Sequence, residues 1–475
     1  MPAYASIMTN RGDQFPVNEG EITNLKNVLR GDLVTPEDAD YEEARRVWNG
    51  LIDKRPGLIV RCAGVADVIT TVNFARDNDL QISVRGGGHN VAGTAVSEGG
   101  MVIDLSRMRS VRVDPERRTA HVEGGATLGD IDHETQVFSL AVPIGVVSAT
   151  GVGGFALHGG YGWLLRKFGL AVDNILAADV VTADGRLRKA SAGENEDLFW
   201  AIRGGGGNFG VVTSFEFRCH PVGPQVWFTA PFYPLGKAEE GLRFFRDFKE
   251  DAPGELSAIA VLWSAPDDPH FPDQARGAPV LILAGCYSGP VEEGERVTRP
   301  LREFDTPIAD LSGPMRFLDV QRFFDPDYPD GRLYYWKSQY VPEMNDEVIR
   351  LAVRHASGRP SRLSSIDIWA LGGAVGRMDP GATAVAWRNA PFLYTIESNW
   401  DESQETETNL AWARKCFDEM KRLTKGGTYL NFPGFAEEGE DLVKSTYGAN
   451  YGRLRTVKAT YDPGNLFRGN FNIKP

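Results

Sequence analysis

Residues 85–90 read RGGGHN, a histidine after three glycines at the end of an apolar run. Glycine has no Cβ, so such a run lets the backbone lie directly against a ligand, and a neutral imidazole beside it offers a nucleophilic nitrogen. Two more glycine-rich stretches follow. Residues 145–162, GVVSATGVGGFALHGGYG, hold six glycines in their last twelve positions: Gly151, Gly153, Gly154, Gly159, Gly160 and Gly162. Residues 203–212, RGGGGNFGVV, fit GxGxxG through Gly205, Gly207 and Gly210. A Rossmann fingerprint must open a helix, whereas this one runs into VVTSFEFRCH, whose apolar and polar residues alternate as in a strand. Three such loops suit successive backbone N–H groups wrapped around an extended pyrophosphate, with tight turns alone as the other reading.

The elements that must hold these loops are α/β in the first third. GLIVRCAG, VADVITTVNFARDND and LQISVRGGGHN form a strand, helix, strand unit, with the first glycine run at the second strand's C-terminal end, where α/β units place ligands. MVIDLS, SVRVD and TAHVEGG read as short strands, and Thr127 can cap a helix over LGDIDHETQVF. Later, QVWFTAPFYP, GAPVLILAGCYSG, GRLYYWKSQYV, LSSIDIWALGGAV and FLYTIESNW read as strands, interleaved with helical stretches such as residues 403–424.

At 475 residues the chain has room for two or three domains, and its 42% hydrophobic and 24% charged content is that of a globular protein. A formal charge of −13 opposes nucleic acid and anionic membrane surfaces. The first residues lack a secretory apolar run and no later segment has the length of a membrane span, so the chain reads as cytoplasmic. Cys62, Cys219, Cys286 and Cys416 lack CxxC spacing, which indicates buried free thiols and neither a disulfide framework nor a metal site.

VRGGGHNVAG, GVGGFALHGGYGWLLRKFGLAVDNILAADVVTADG, NEDLFWAIRGGGGNFGVVTSFEF and the tail YGANYGRLRTVKATYDPGNLFRGNFNI resemble the berberine-bridge-enzyme-like flavoproteins of the vanillyl-alcohol-oxidase type. The resemblance implies an α+β fold: a two-lobed FAD-binding domain over residues 1–220, completed by a berberine-type segment at 426–475, and a substrate-binding domain at 221–425, an antiparallel sheet covered by helices. FAD is then expected to contact Arg85, Gly86, Gly87, Gly88, His89 and Asn90 in the first loop. Ser148, Thr150 and the six glycines named above follow in the second, Gly210 and Val212 in the third, and Asn450 and Asn470 in the tail.

The resemblance further implies that His89 bonds covalently to the flavin 8α-methyl group. Many relatives carry a second tether, a cysteine that aligns with Val147, so a single tether is expected here. That matches a bacterial subgroup containing nicotine oxidases and a polyketide-tailoring oxygenase. The glutamate that plant alkaloid enzymes use after a GG pair is absent, since Gly376 and Arg377 stand near that position. Other members use a tyrosine from a YxNY or YxNF stretch, matched by Tyr429 and Asn431, with Tyr394 and Tyr340 as secondary candidates. A tyrosine base needs its phenolate stabilised, by the flavin edge, Arg377 or Lys337. Each of the three tyrosines also has a plain packing role as its alternative.

The reading is thus an FAD-dependent oxidase that moves a hydride from an alcohol, phenol, amine or secondary metabolite to flavin, with O2 as acceptor and hydrogen peroxide as product. The alternative is a flavin-dependent oxygenase. In that subgroup's oxygenase a threonine and a leucine direct oxygen; they align with Thr150 and Phe155, and the larger Phe155 favours the oxidase. The expected partners are a small-molecule substrate and O2, with no nucleic acid or membrane, and the chain a monomer or homodimer.

Overall fold

The computed structural model describes residues 5–267, 271–273, 275–469 and 471–475; Asn470 lies outside them. Two sheets carry the glycine loops. The first has four strands in the order Asp32–Val34, Leu58–Arg61, Met101–Asp104, Ile82–Arg85, the last three parallel. Helix Val65–Asp77 connects two of them and buries Val68, Val72 and Ala75, spaced to share one helix face. The second sheet is antiparallel, ordered Leu187–Ser191, Ile175–Val181, Val211–Arg218, Thr119–Glu123, Val111–Asp114. A shared core joins Val68, Val72 and Ile103 of the first layer to Val181 and Val211 of the second. Thr127 caps helix Leu128–Gln136 through a capping box with Asp130.

GxGxxG leads through a single 3₁₀ turn, Gly206–Asn208, into strand Val211–Arg218, so no Rossmann helix follows it. Val152–Leu157 forms a short helix inside the second glycine-rich stretch despite two glycines, because Val152 and Ala156 are fully buried and packing outweighs their propensity.

Residues 225–400 supply a nine-stranded antiparallel sheet whose central run is Pro279–Tyr287, Leu256–Ser264, Ser365–Ala370, Phe392–Trp400, Leu333–Val341. Helices Ala238–Asp251, Asp346–Ser357 and Thr406–Thr424 bury Phe245, Ile349 and Phe417 against one face, together with Ile366, Ile368 and Ile396 of the strands. The other face, with Trp369 and Leu393, shares a core with the glycine-loop side. The chain then returns. Helix Tyr451–Tyr461 docks on the third glycine loop, where the fully buried Lys458 ammonium donates to the carbonyls of Asn208 and Phe467 at 2.8 Å and pairs with Asp462 at 2.6 Å.

All four cysteines are free and buried, and burial pushes each thiol up to about 12. Among the described residues no helix is long and apolar enough to cross a membrane, and no cluster of His, Cys, Asp or Glu is placed to hold a metal.

Candidate active site

A cavity of about 590 Å³ lies between the glycine loops and the open face of the nine-stranded sheet. Its glycine wall depends on close backbone approach: a Cβ on Gly87 would stand 2.6 Å from the Cα of Gly151, so any side chain there would part the first and second loops. Gly88 follows at φ +70°, a left-handed conformation that turns the chain to present His89. Gly154, by contrast, meets nothing within 4 Å, leaving its backbone open to the cavity.

The His89 ring stacks on Trp48 with centroids 4.0 Å apart, and Trp48 stacks on Tyr334 at 3.8 Å. Its Nε2 is cut off from solvent and has no hydrogen-bond partner among the described residues. Burial pushes His89 down to about 3, so the imidazole is neutral and keeps a free lone pair at physiological pH. His158 Nε2, also on this wall, is buried without a partner as well, and so is Ser148 Oγ behind it. An unpartnered nucleophilic nitrogen, an open glycine cradle and spare polar atoms fit an FAD held through its isoalloxazine edge and pyrophosphate.

Of the other residues expected to touch the cofactor, Gly86, Gly87, Gly88, Asn90, Thr150, Gly151, Gly153, Gly154, Gly210 and Val212 line the cavity. Arg85, Ser148, Gly159, Gly160, Gly162 and Asn450 do not. Arg85 lies behind the loop and donates to Ala44 O at 2.6 Å. Gly162 sits so close to the Ile144 carbonyl that a side chain would collide with it, and Asn450 donates to Ala384 O at 3.3 Å. These residues shape the loops from behind.

Tyr429 and Asn431 come together at the sheet side of the cavity. Asn431 Nδ2 donates to the Tyr429 hydroxyl at 2.7 Å and to the Phe155 carbonyl at 3.1 Å. Burial raises the Tyr429 phenol above its ordinary value, while Asn431 and the backbone amides of Tyr161 and Gly160 act to lower it. Those donors, in place of the expected cations, oppose the rise without cancelling it. Lys337 instead projects from the helix-covered face between Glu437 and Glu438, and Arg377 is exposed.

The two secondary candidates sit elsewhere. Tyr394 points away from the cavity into the helix-covered core, where its hydroxyl meets His355 Nδ1 at 2.9 Å. Tyr340 is behind the lining and reaches it through Tyr161, hydroxyl to hydroxyl at 2.7 Å.

Sequence reasoning passed over a carboxyl pair. Asp367 and Glu397, on neighbouring strands, both face the cavity. Tyr328 donates to Glu397, and Asp367 Oδ1 is buried without a partner. Burial raises both carboxyls, and the repulsion between them means that the pair retains a proton near neutrality. The available signal was alternation: Asp367 stands between Ile366 and Ile368, and Glu397 next to Ile396, whose side chains take the opposite face.

The FAD binding domain family matches residues 56–191, and the berberine and berberine-like family matches residues 428–474. Over 462 residues the chain is 31% identical to (R)-6-hydroxynicotine oxidase of Paenarthrobacter nicotinovorans, covering 94% of this chain and 97% of the relative. It is 30% identical over 457 residues to an FAD-linked oxidoreductase of Bacillus subtilis (strain 168), covering 95% and 98%. The chain belongs to the berberine-like FAD-linked oxidoreductases. This berberine-like oxidoreductase has the family's α+β fold: the crystal structure of 6-hydroxy-D-nicotine oxidase from Arthrobacter nicotinovorans matches it with a TM-score of 0.84 at 28% identity, over 94% of this chain and 98% of that one. A chitooligosaccharide oxidase shares the fold at 24% identity and a TM-score of 0.84.

Proposed function

We propose that this berberine-like oxidoreductase is an oxidase that takes two electrons and two protons from a small organic substrate, an alcohol, phenol, amine or secondary metabolite, and passes them to O2 as hydrogen peroxide. FAD, attached through His89 alone, supplies the hydride acceptor. Residues 1–220 and 426–475 bind it, and residues 221–425 bind the substrate. The observation that carries this reading is the buried, unpartnered His89 Nε2 at the rim of a glycine cradle, across one cavity from Tyr429. Val147, which also lines the cavity, offers no thiol for a second bond.

In this reading Tyr429, held as the phenolate by Asn431 and the adjoining backbone amides, takes the substrate proton and becomes the neutral phenol. Glu397 and Asp367 accept a hydrogen bond from a substrate O–H or N–H, and Trp336, Trp369 and Phe432 give the pocket its apolar walls. The names of the nicotine oxidase and oligosaccharide oxidase relatives support an oxidase without choosing among substrates.

Acid precipitation of the purified protein tests the attachment: yellow colour stays with the polypeptide and is released in His89→Ala. A peptide map then carries flavin on one peptide, and flavin on any cysteine contradicts the single tether. An oxygen-electrode screen of phenols, amines, alcohols and sugars finds the substrate through stoichiometric peroxide. Oxygen-18 incorporated into product would instead identify an oxygenase.

A further inference from the structure

We propose that Trp48 and Asn49 form a strap that orients the His89 imidazole for attachment and locks the tether loop to strand Leu333–Val341. The inference rests on the tether reading above and deepens it.

The two residues bond on both sides of His89. The Trp48 amide donates to Gly88 O at 3.2 Å, and Asn49 Nδ2 donates to Val91 O at 2.7 Å. The same pair reaches across to the substrate-facing sheet. Asn49 Nδ2 also donates to Tyr334 O at 2.9 Å, and its Oδ1 accepts from the amides of Tyr334 at 3.1 Å and Leu51 at 3.0 Å. Asn49 is completely buried, and these four bonds use its full side-chain capacity. Trp48 completes the link through Gly331 N to its carbonyl at 2.9 Å and through its own Nε1 to Tyr328 O at 3.0 Å.

The indole meanwhile lies between two flat groups, His89 at an interplanar angle of 17° and Tyr334 at 13°. No hydrogen bond among the described residues engages His89 Nε2, and the stack on Trp48 holds the plane of the imidazole together with a bond from the ring to the His89 backbone. Attachment joins an imidazole nitrogen to the 8α carbon. It removes one C–H and one N–H hydrogen, and O2 takes up the two electrons and two protons as hydrogen peroxide. Such a step is sensitive to alignment, and a ring free to turn about its χ2 bond loses the rate advantage of fixed orientation.

The test compares wild type, Trp48→Leu, Trp48→Phe and His89→Ala, each purified with its flavin. Two quantities are read: total FAD per chain, and the share that stays with acid-precipitated polypeptide during incubation with FAD in air. Trp48→Leu is expected to bind FAD within about twofold of wild type but to attach it roughly tenfold or more slowly, and Trp48→Phe, which keeps a flat ring, to recover most of the rate. Wild-type attachment kinetics in Trp48→Leu overturn the strap alone. Parallel loss of bound and attached FAD overturns it too, because Trp48 then merely holds the fold. A wild-type chain without acid-stable flavin overturns the tether reading and the strap with it.

Discussion

The Tyr328 hydroxyl donates to Glu397 Oε2 across 2.6 Å, tying the loop after the 3₁₀ turn Asp325–Asp327 to the cavity face of the large sheet. With Asp367 beside it, Glu397 shares a proton, and burial pushes it up to about 7. A fully ionised acceptor therefore forms only as pH rises through neutrality.

From this, kcat/KM should climb between pH 6 and 8 in the wild type. Glu397→Gln should lose roughly 10- to 100-fold in kcat/KM and show a flattened rise, with flavin content unchanged. Anaerobic stopped-flow reduction across that range measures both. An identical slope in the variant removes Glu397 from substrate handling.

Tyr429→Phe should slow flavin reduction by about 10²-fold, the usual scale for a positioned base, with substrate binding changed far less. Asn431→Ala removes the 2.7 Å donor to the phenol and should act in the same direction, by raising the pH at which the phenolate forms. Reduction at the wild-type rate in Tyr429→Phe would move proton removal to the Glu397 pair.

Phe155 lines the cavity with its ring clamped between two glycines: a Cβ on Gly145 would lie 2.8 Å from Cε2 and one on Gly160 2.6 Å from Cε1. Phe155→Leu keeps the backbone carbonyl that Asn431 engages and removes the ring. Reoxidation of the reduced enzyme by O2 should then accelerate severalfold while reduction by substrate holds. An unchanged oxygen rate constant means the ring packs without gating.

The glycine loops and His89 were legible in the sequence because their chemistry is local: clustered glycines report close backbone approach wherever they stand. The large sheet was legible as strands but not as faces. All nine residues of Phe392–Trp400 are buried, since helices cover one side and the glycine-loop side covers the other, so the polar-out alternation that marks a half-solvated strand is missing. Tyr394 was for that reason assigned to the wrong face. Lys337 was misread on the same ground: its partners Glu437 and Glu438 stand about a hundred residues away, and nothing local announces them. Alternation about Ile366, Ile368 and Ile396 sets Asp367 and Glu397 opposite the isoleucines, but that the two carboxyls meet needs strand register, which is set by packing across the whole sheet.

Asp132 offers a test of how the fold responds to pH. It is buried on helix Leu128–Gln136, where Oδ2 accepts from Gln321 Nε2 at 3.1 Å and the same nitrogen reaches Gly145 O at 3.0 Å in the second glycine-rich stretch. Asp132 Oδ1 and Gln321 Oε1 have no partners among the described residues. Burial pushes the carboxyl up to about 7, well above an unfolded value near 4. Between those limits the folded chain holds a proton that the unfolded chain has released, so stability present below about pH 4 is lost as pH rises to 7, by up to about 1.4 kcal/mol per unit. Asp132→Asn has no proton to lose, and its amide can donate to Gln321 Oε1 while still accepting from Nε2. The variant should therefore equal or trail wild type near pH 4 and melt higher at pH 8. The other buried carboxyls titrate alike in both proteins and cancel in the difference. Denaturation curves at intervals from pH 4 to 8 decide it: if the wild-type and Asp132→Asn stabilities run parallel, Asp132 is ionised in the native state and the Gln321 contact carries no pH dependence.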